Sequence, residues 1–247
     1  MPLRLEFVGH ACFRLWEDGR PSIVMDPYLH EETKLEDDGS RLDADTVIVS
    51  SLTDRAHSNV GFVQGNPRVI NALDVATGAT SATINGEPIV GIATAEAPDH
   101  IHHAPMDNAM YAFKAGGLWF AHFGDLGYGL GEEELTPWAN RCDVLMPIVG
   151  EMNTVKLGPL DMMIEFLKPT WIVPMHYGLP PLGGVDGGGM TPVDAFLNRH
   201  PRSAVYVVRH HTVTFPLPKS DSGYPTIIVL EPSGYKPTGG LPEFRSA

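Results

Sequence analysis

Apolar and polar positions alternate from the start of the chain. Leu3–Val8, Cys12–Trp16 and Ser22–Asp26 read as short strands parted by tight Gly/Asp turns, so a β-meander is expected. Thr46–Ser50 (T-V-I-V-S) is instead a continuous β-branched run, the pattern of a strand buried on both faces. The polar stretch Asp54–Gly65 after it starts a loop or a short helix. Asn85-Gly86 inside Thr83–Glu87 signals a hairpin, and Gly116-Gly117 between Met110–Lys114 and Leu118–Phe123 signals a second.

After Gly127 the period changes. Glu132–Arg141 reads as a short helix and Asp143–Val149 as a strand. Leu157–Leu167 spaces its apolar residues as a helix does, and Lys168-Pro169 ends it. Trp171–Pro174 is the next strand. Thr191–His200 reads as a helix with Thr191 as N-cap and Pro192 at its first position. Val205–Val208, Thr212–Phe215 and Thr226–Leu230 close the pattern with strands, and a Gly- and Pro-rich tail follows from Ser233. Hairpins followed by alternating β and α, without repeat or linker, point to one domain over residues 1–247 with two sheets covered by helices.

Composition adds exclusions. The 247 residues are 43% hydrophobic and 19% charged, which suits a globular chain with a sizeable core. No apolar run reaches about 18 residues, and the first ten residues lack a signal-peptide layout, so a cytoplasmic protein with no membrane partner is expected. The net charge of −13, from 17 basic and 30 acidic residues, argues against nucleic acid as a partner. Cys12 and Cys142 lie in or beside apolar runs and form no C-x-x-C pair, so both read as buried thiols.

The candidate chemistry sits where apolar runs end. Asp125 lies in A-H-F-G-D-L-G just after one run, and His176 ends another, W-I-V-P-M-H. A carboxylate and an imidazole at strand ends are rigidly held and suit Zn²⁺, Mn²⁺ or Fe²⁺. Asp54 and His57, three residues apart, would share one face if that stretch were helical. His100, His102 and His103 crowd into P-D-H-I-H-H, with His100 the preferred ligand and Asp99 placed to orient an imidazole. His10 sits in the first turn, and His210 and His211 read as structural.

These motifs together resemble the metallo-β-lactamase-fold hydrolases, and among them the branch that looks like L-ascorbate-6-phosphate lactonase. The resemblance is carried by G-H-A-C-F (Gly9–Phe13), I-V-M-D-P-Y (Ile23–Tyr28) and T-V-I-V-S (Thr46–Ser50). It continues through H-F-G-D-L-G (His122–Gly127), D-V-L-M-P-I-V-G (Asp143–Gly150) and K-P-T-W-I-V-P-M-H-Y (Lys168–Tyr177). It implies an α/β fold, an αββα sandwich of two mixed β-sheets flanked by helices, with a metal site at the sheet edges. By position, Asp125 matches the metal-bridging carboxylate, His176 the last histidine of the second metal site, and one of His100, His102 and His103 a histidine of the first.

The family's main motif, H-x-H-x-D-H, is altered. Its positions fall on Ser51, Thr53, Arg55 and Ala56, while a small shift in register supplies Asp54 and His57. The expectation is therefore one divalent ion, Zn, Mn or Fe, held by Asp54, His57, His100, Asp125 and His176. That ion would activate water against an ester, lactone or related small-molecule bond. Asp125 or Asp54 would take the proton, and His10 or Tyr177 would donate to the developing oxyanion. The alternative is a metal-free member that binds or assembles, with Arg55 receiving an anionic ligand group. Gly183–Gly189 reads as the rim of the pocket, and homo-oligomers are an expectation from the resemblance alone.

Overall fold

A computed structural model of the chain describes residues 2–20, 22–29, 41–99, 106–178, 189–233 and 245–246. The first half runs β1 (Leu3–Gly9), β2 (Cys12–Glu17), β3 (Ile23–Met25), β4 (Leu42–Asp43), β5 (Thr46–Val49), β6 (Val63–Gln64), β7 (Arg68–Asn71) and α1 (Ala72–Ala76). Next come β8 (Thr83–Ile84), β9 (Glu87–Pro88), β10 (Val90–Thr94), β11 (Asn108–Ala115), β12 (Leu118–His122) and α2 (Glu132–Leu135). The chain continues through β13 (Val144–Met146), α3 (Leu157–Leu167), β14 (Trp171–Ile172), α4 (Val193–Leu197), β15 (Val205–Val208), β16 (Thr212–Phe215), β17 (Thr226–Leu230) and β18 (Arg245–Ser246).

Two mixed sheets organise these elements. The first has the order β16-β1-β2-β3-β5-β7, and the second β10-β11-β12-β13-β14-β17-β15-β18. The meander expected from alternation is the antiparallel run β1-β2-β3, and β3-β5-β7 continue in parallel. In the second sheet β10-β11-β12 are antiparallel, whereas β12, β13, β14, β17 and β15 are parallel neighbours.

Strand periodicity decides which side chains meet. Leu3, Leu5 and Phe7 of β1, Phe13 and Leu15 of β2 and Ile48 of β5 enter the main core with Phe113, Phe120 and Leu145 of the second sheet. Val8, Cys12, Val47 and Val49 face the other way, into a smaller cluster with Tyr28, Phe62 and Val63. T-V-I-V is thus buried on both faces, as its unbroken apolar pattern implied. Each fully buried Leu or Phe contributes about 1.5–3 kcal/mol. Both cysteines are free and buried.

Three expectations change. The helix expected over Glu132–Arg141 is one α-turn, Glu132–Leu135, that tightens into a 3₁₀ turn at Thr136–Trp138 with Pro137 inside it. The expected Thr191–His200 helix covers only Val193–Leu197 and has Pro192, not Thr191, as N-cap. Thr191 instead joins the strand-like pairing that receives the site loop: Gly178 N–H donates to Thr191 O (3.0 Å) and Thr191 N–H to Gly150 O (2.8 Å). Finally, β7 and α1 were not read from the sequence. The Gly183–Gly188 part of the expected rim and the tail from residue 234 to residue 244 lie outside the described residues. No described helix is long and apolar enough to cross a membrane.

Candidate metal centre

Four chain segments from both sheets deliver side chains to one place. His10 lies in the β1–β2 turn, Asp54 and His57 in the loop after β5, Asp125 after β12, and His176 after β14. Ligand atoms of His10, His57 and His176 lie within 4.8 Å of one another, and so do those of Asp54, His57 and Asp125. His57 belongs to both groups. The His10 ring stacks on His57 (4.6 Å between centroids, 4° between planes) and lies 4.0 Å from the His176 ring.

The local backbone explains how these side chains converge. The Asp54–His57 stretch forms turns and not the helix that would place i and i+3 together, yet the two residues meet. His57 Nδ1 hydrogen-bonds Asp54 Oδ2, while Asp54 Oδ1 accepts from the Ala56 N–H at 2.9 Å. This turn is pinned to the D-P-Y segment by Leu29 N–H to Ala56 O (3.0 Å) and Asn59 N–H to Pro27 O (2.8 Å). His176 N–H donates to His10 O at 2.8 Å, tying a turn of the first sheet to a strand end of the second.

Two glycines make room. A Cβ on Gly124, whose φ is +59°, would lie 2.3 Å from Asn108 Oδ1, the atom that accepts from the Asp125 N–H (2.9 Å). A Cβ on Gly150 would lie 2.2 Å from the His176 carbonyl oxygen. His10 (φ 56°), Asp26 (φ 41°) and His176 (φ 52°) all occupy the left-handed region. Non-glycine residues held there concentrate at functional sites because the surroundings must enforce them.

Charge is unevenly shared. Burial opposes a charged His57, but the Asp54 and Asp125 carboxylates outweigh it and hold the imidazole above its usual pKa. Burial likewise opposes Asp54 ionisation, and the His57 charge and hydrogen bond overcome it, so its pKa is lowered. Burial, with the His57 charge, pushes His176 down to about 3 and His10 well below its ordinary value. Burial lifts Asp125 to about 6. His57 Nδ1 is 4.0 Å from Asp125 Oδ2, and His176 Nε2 is 3.8 Å from Asp125 Oδ1. His57 Nε2, His176 Nδ1 and Asp125 Oδ1 are buried without a hydrogen-bond partner. Buried polar atoms left in this state are costly; a cation satisfies those that offer a lone pair, and His57 joins them by giving up its proton.

Several sequence expectations resolve differently. Tyr177 follows His176 but turns away: its hydroxyl donates to Leu230 O (3.2 Å) inside the core, so it does not serve as an oxyanion donor. Arg55 is exposed, and Asp54 is paired with His57. His100, His102 and His103 lie outside the described residues; Asp99 is exposed. His210 and His211 stack on each other at 4.2 Å, and His211 O accepts from the Phe7 N–H at 2.8 Å.

Three residues went unread. Asp26 is fully buried under the site, accepts from the Ser50 N–H at 2.6 Å, and is lifted to about 7 by burial. His122 braces the His10 turn by donating from Nε2 to Ala11 O (2.8 Å), while its Nδ1 accepts from the Gly124 N–H (3.0 Å). Glu96 is half-buried and lifted to about 8 by burial and by Asp54, Asp107 and Asp125. For Asp26 the available signal was a carboxylate closing an apolar run before proline.

The wider resemblances agree with this geometry. The family model described as "Beta-lactamase superfamily domain" matches residues 4–176. A protein from Pelotomaculum thermopropionicum named a metal-dependent hydrolase is 28% identical over 205 residues, covering 73% of this chain and 86% of the relative. A crystal structure from Thermotoga maritima, described as a proposed Zn-dependent hydrolase of the metallo-β-lactamase superfamily, is 25% identical with a TM-score of 0.65. It covers 92% of this chain and 98% of that one. A metallo hydrolase from Ignicoccus hospitalis, 16% identical, shares the fold with a TM-score of 0.54 over 88% of this chain and all of its own.

Proposed function

Because the chain belongs to the metallo-β-lactamase superfamily and has its α/β sandwich fold, we propose that it is a metal-dependent hydrolase acting on an ester, lactone or related small-molecule bond. One observation carries the proposal: two groups of candidate ligands, His10, His57 and His176 in one and Asp54, His57 and Asp125 in the other, that share His57, with three buried polar atoms left unpartnered. In this reading a single divalent ion sits on Asp54, His57 and Asp125, with His176 brought in by its Nε2, 3.8 Å from Asp125 Oδ1. Mixed nitrogen and carboxylate donors suit Zn, Mn or Fe. Bound there, such an ion supplies Lewis acidity and lowers the pKa of coordinated water to about 7.

The chain's own residues divide the remaining work. Asp125, with Oδ2 4.0 Å from His57 Nδ1 and Oδ1 3.8 Å from His176 Nε2, is the carboxylate placed to accept a proton at the site. Asp54 stays ionised against His57 and orients it. His10, kept neutral by burial and by its histidine neighbours, presents an N–H to a developing oxyanion. The lactonase-like branch belongs to this proposal, as do a small-molecule partner and a homo-oligomeric state.

A second reading has one observation in its favour. Asp54 and His57 already satisfy each other as an ion pair, so the loop is closed without a cation and exposed Arg55 beside it is available to an anionic ligand. Elemental analysis of the purified protein separates the two. About one ion per chain, absent after His176→Ala, supports the hydrolase and justifies a screen of esters and lactones. No ion after incubation with Zn²⁺ or Mn²⁺ favours the binding protein.

A further inference from the structure

The parallel strands of the second sheet have two ends, and the candidate metal centre uses only one. At the opposite end, where Thr170 precedes β14 and Thr226 opens β17, a cavity of about 760 Å³ lies between the C-terminal half of α3, the turn after α4 and the β16–β17 loop. That volume falls within the range of about 300–1,000 Å³ usual for small-molecule sites.

Its floor is built. His200 is 9% exposed; its ring meets Phe196 edge-on at 4.4 Å and stacks on Tyr224 at 5.0 Å. Asp161 is fixed by Arg199, whose Nε donates to Oδ2 at 2.8 Å. The other carboxylate oxygen, Oδ1, is buried without a hydrogen-bond partner, and so is His200 Nε2, 3.8 Å away. That gap is too long for a direct hydrogen bond. Neither atom is open to solvent as the side chains stand, so an oxygen about 2.8 Å from both would bridge it after a small shift of the surrounding side chains. A hydroxyl is the group that can accept from Nε2–H and donate to a carboxylate at once. Burial keeps His200 below its ordinary pKa, so the ring is the neutral partner this arrangement needs.

The rim carries Glu165 and two lysines, so its positive charge is in excess. Lys168, just past the end of α3, and Lys219, over the Trp171 ring at 5.7 Å, both line the cavity and are exposed. In a chain of net charge −13, two lysines flanking one cavity are a local departure that attracts an anion.

We propose that this cavity binds a small hydroxylated organic anion, with its hydroxyl between His200 and Asp161 and its acidic group at Lys168 and Lys219. The site is separate from the metal cluster and does not depend on hydrolysis. If the metal-centre reading is right, a lactone opened at one end of the strands yields a hydroxy-carboxylate, the chemical class this cavity fits.

The test is calorimetric titration of the full-length protein with glycerate and with glycerol 3-phosphate, using glycerol and propionate as controls. Saturable binding of either anion, at least tenfold tighter than both controls, is expected, and the tighter of the two identifies the acidic group as carboxylate or phosphate. Lys168→Gln with Lys219→Gln, both exposed positions, should weaken that binding tenfold or more. Asp161→Asn should reduce the preference for the hydroxylated anion over propionate. His176→Ala should leave binding unchanged. Failure of both anions to bind, equal binding of the controls, or loss of binding in His176→Ala would overturn the proposal, the last by placing the anion at the metal cluster.

Discussion

His57 is where the two halves of the candidate centre meet, and the neighbouring residues argue for separable roles. Asp125→Ala and His176→Ala should each abolish metal uptake and lower any hydrolysis by at least about 100-fold, with far-UV circular dichroism unchanged. Retained metal in both variants would remove these residues from the ligand set. Asp26 makes a different prediction. Burial lifts its folded pKa from 3.8 to about 7, so the folded state binds the extra proton. That contribution to stability is complete below about pH 4 and is lost as pH rises through 7. Asp26→Asn cannot ionise, so its urea midpoint relative to wild type should rise between pH 4 and pH 8; a constant difference would refute the shift. Of these residues, Asp125 and His176 were legible because a ligand type at a strand end stands out. Asp54 and His57 were legible as a pair but not in their conformation, since a turn and a helix can both join i to i+3. Asp26 and His122 escaped because a buried polar residue inside an apolar motif reads like any turn residue until its partners are known.

At the scale of the elements, the turns after β13 and β14 have least room. Gly150→Ala would drive a Cβ into the His176 carbonyl, which should cost about 1–3 kcal/mol and weaken metal binding together with stability. Denaturation and metal titration of this variant should move in step; a destabilised variant with intact metal affinity would separate the turn from the site. α3 buries Leu157, Leu160, Met163, Ile164 and Leu167, so Leu160→Ala should cost about 2–5 kcal/mol by chemical denaturation, without affecting metal content. Strands and hairpins were largely readable from alternation and Asn-Gly or Gly-Gly turns. β7 and α1 were not, because Arg68–Asn71 has an exposed Val69 on an edge strand and α1 is only five residues long. The expected Thr191–His200 helix was overestimated because Thr191 satisfies its backbone by pairing with Gly178 and Gly150 and never acts as a cap.

Across the whole molecule, both sheets contribute to one cluster, so a cation that binds there binds the assembled sandwich and not its parts. A ligand of the folded state stabilises by mass action, about 2.7 kcal/mol at a hundredfold excess over Kd. The thermal midpoint should therefore climb with added Zn²⁺ or Mn²⁺ in wild type and stay level in His176→Ala. The same architecture bears on how the chain is made. β1 is paired along one edge with β2, but its other edge waits for β16, at residues 212–215. During synthesis the first strand must remain half-covered while some two hundred further residues emerge, since Leu3 pairs with Phe215. Nascent chains stalled before residue 212 should consequently bind chaperones and digest readily within the first sheet, and release beyond that point should confer protease resistance abruptly. The last long-range seam of the first sheet thus sets the moment at which a ribosome-bound chain becomes safe from aggregation and proteolysis.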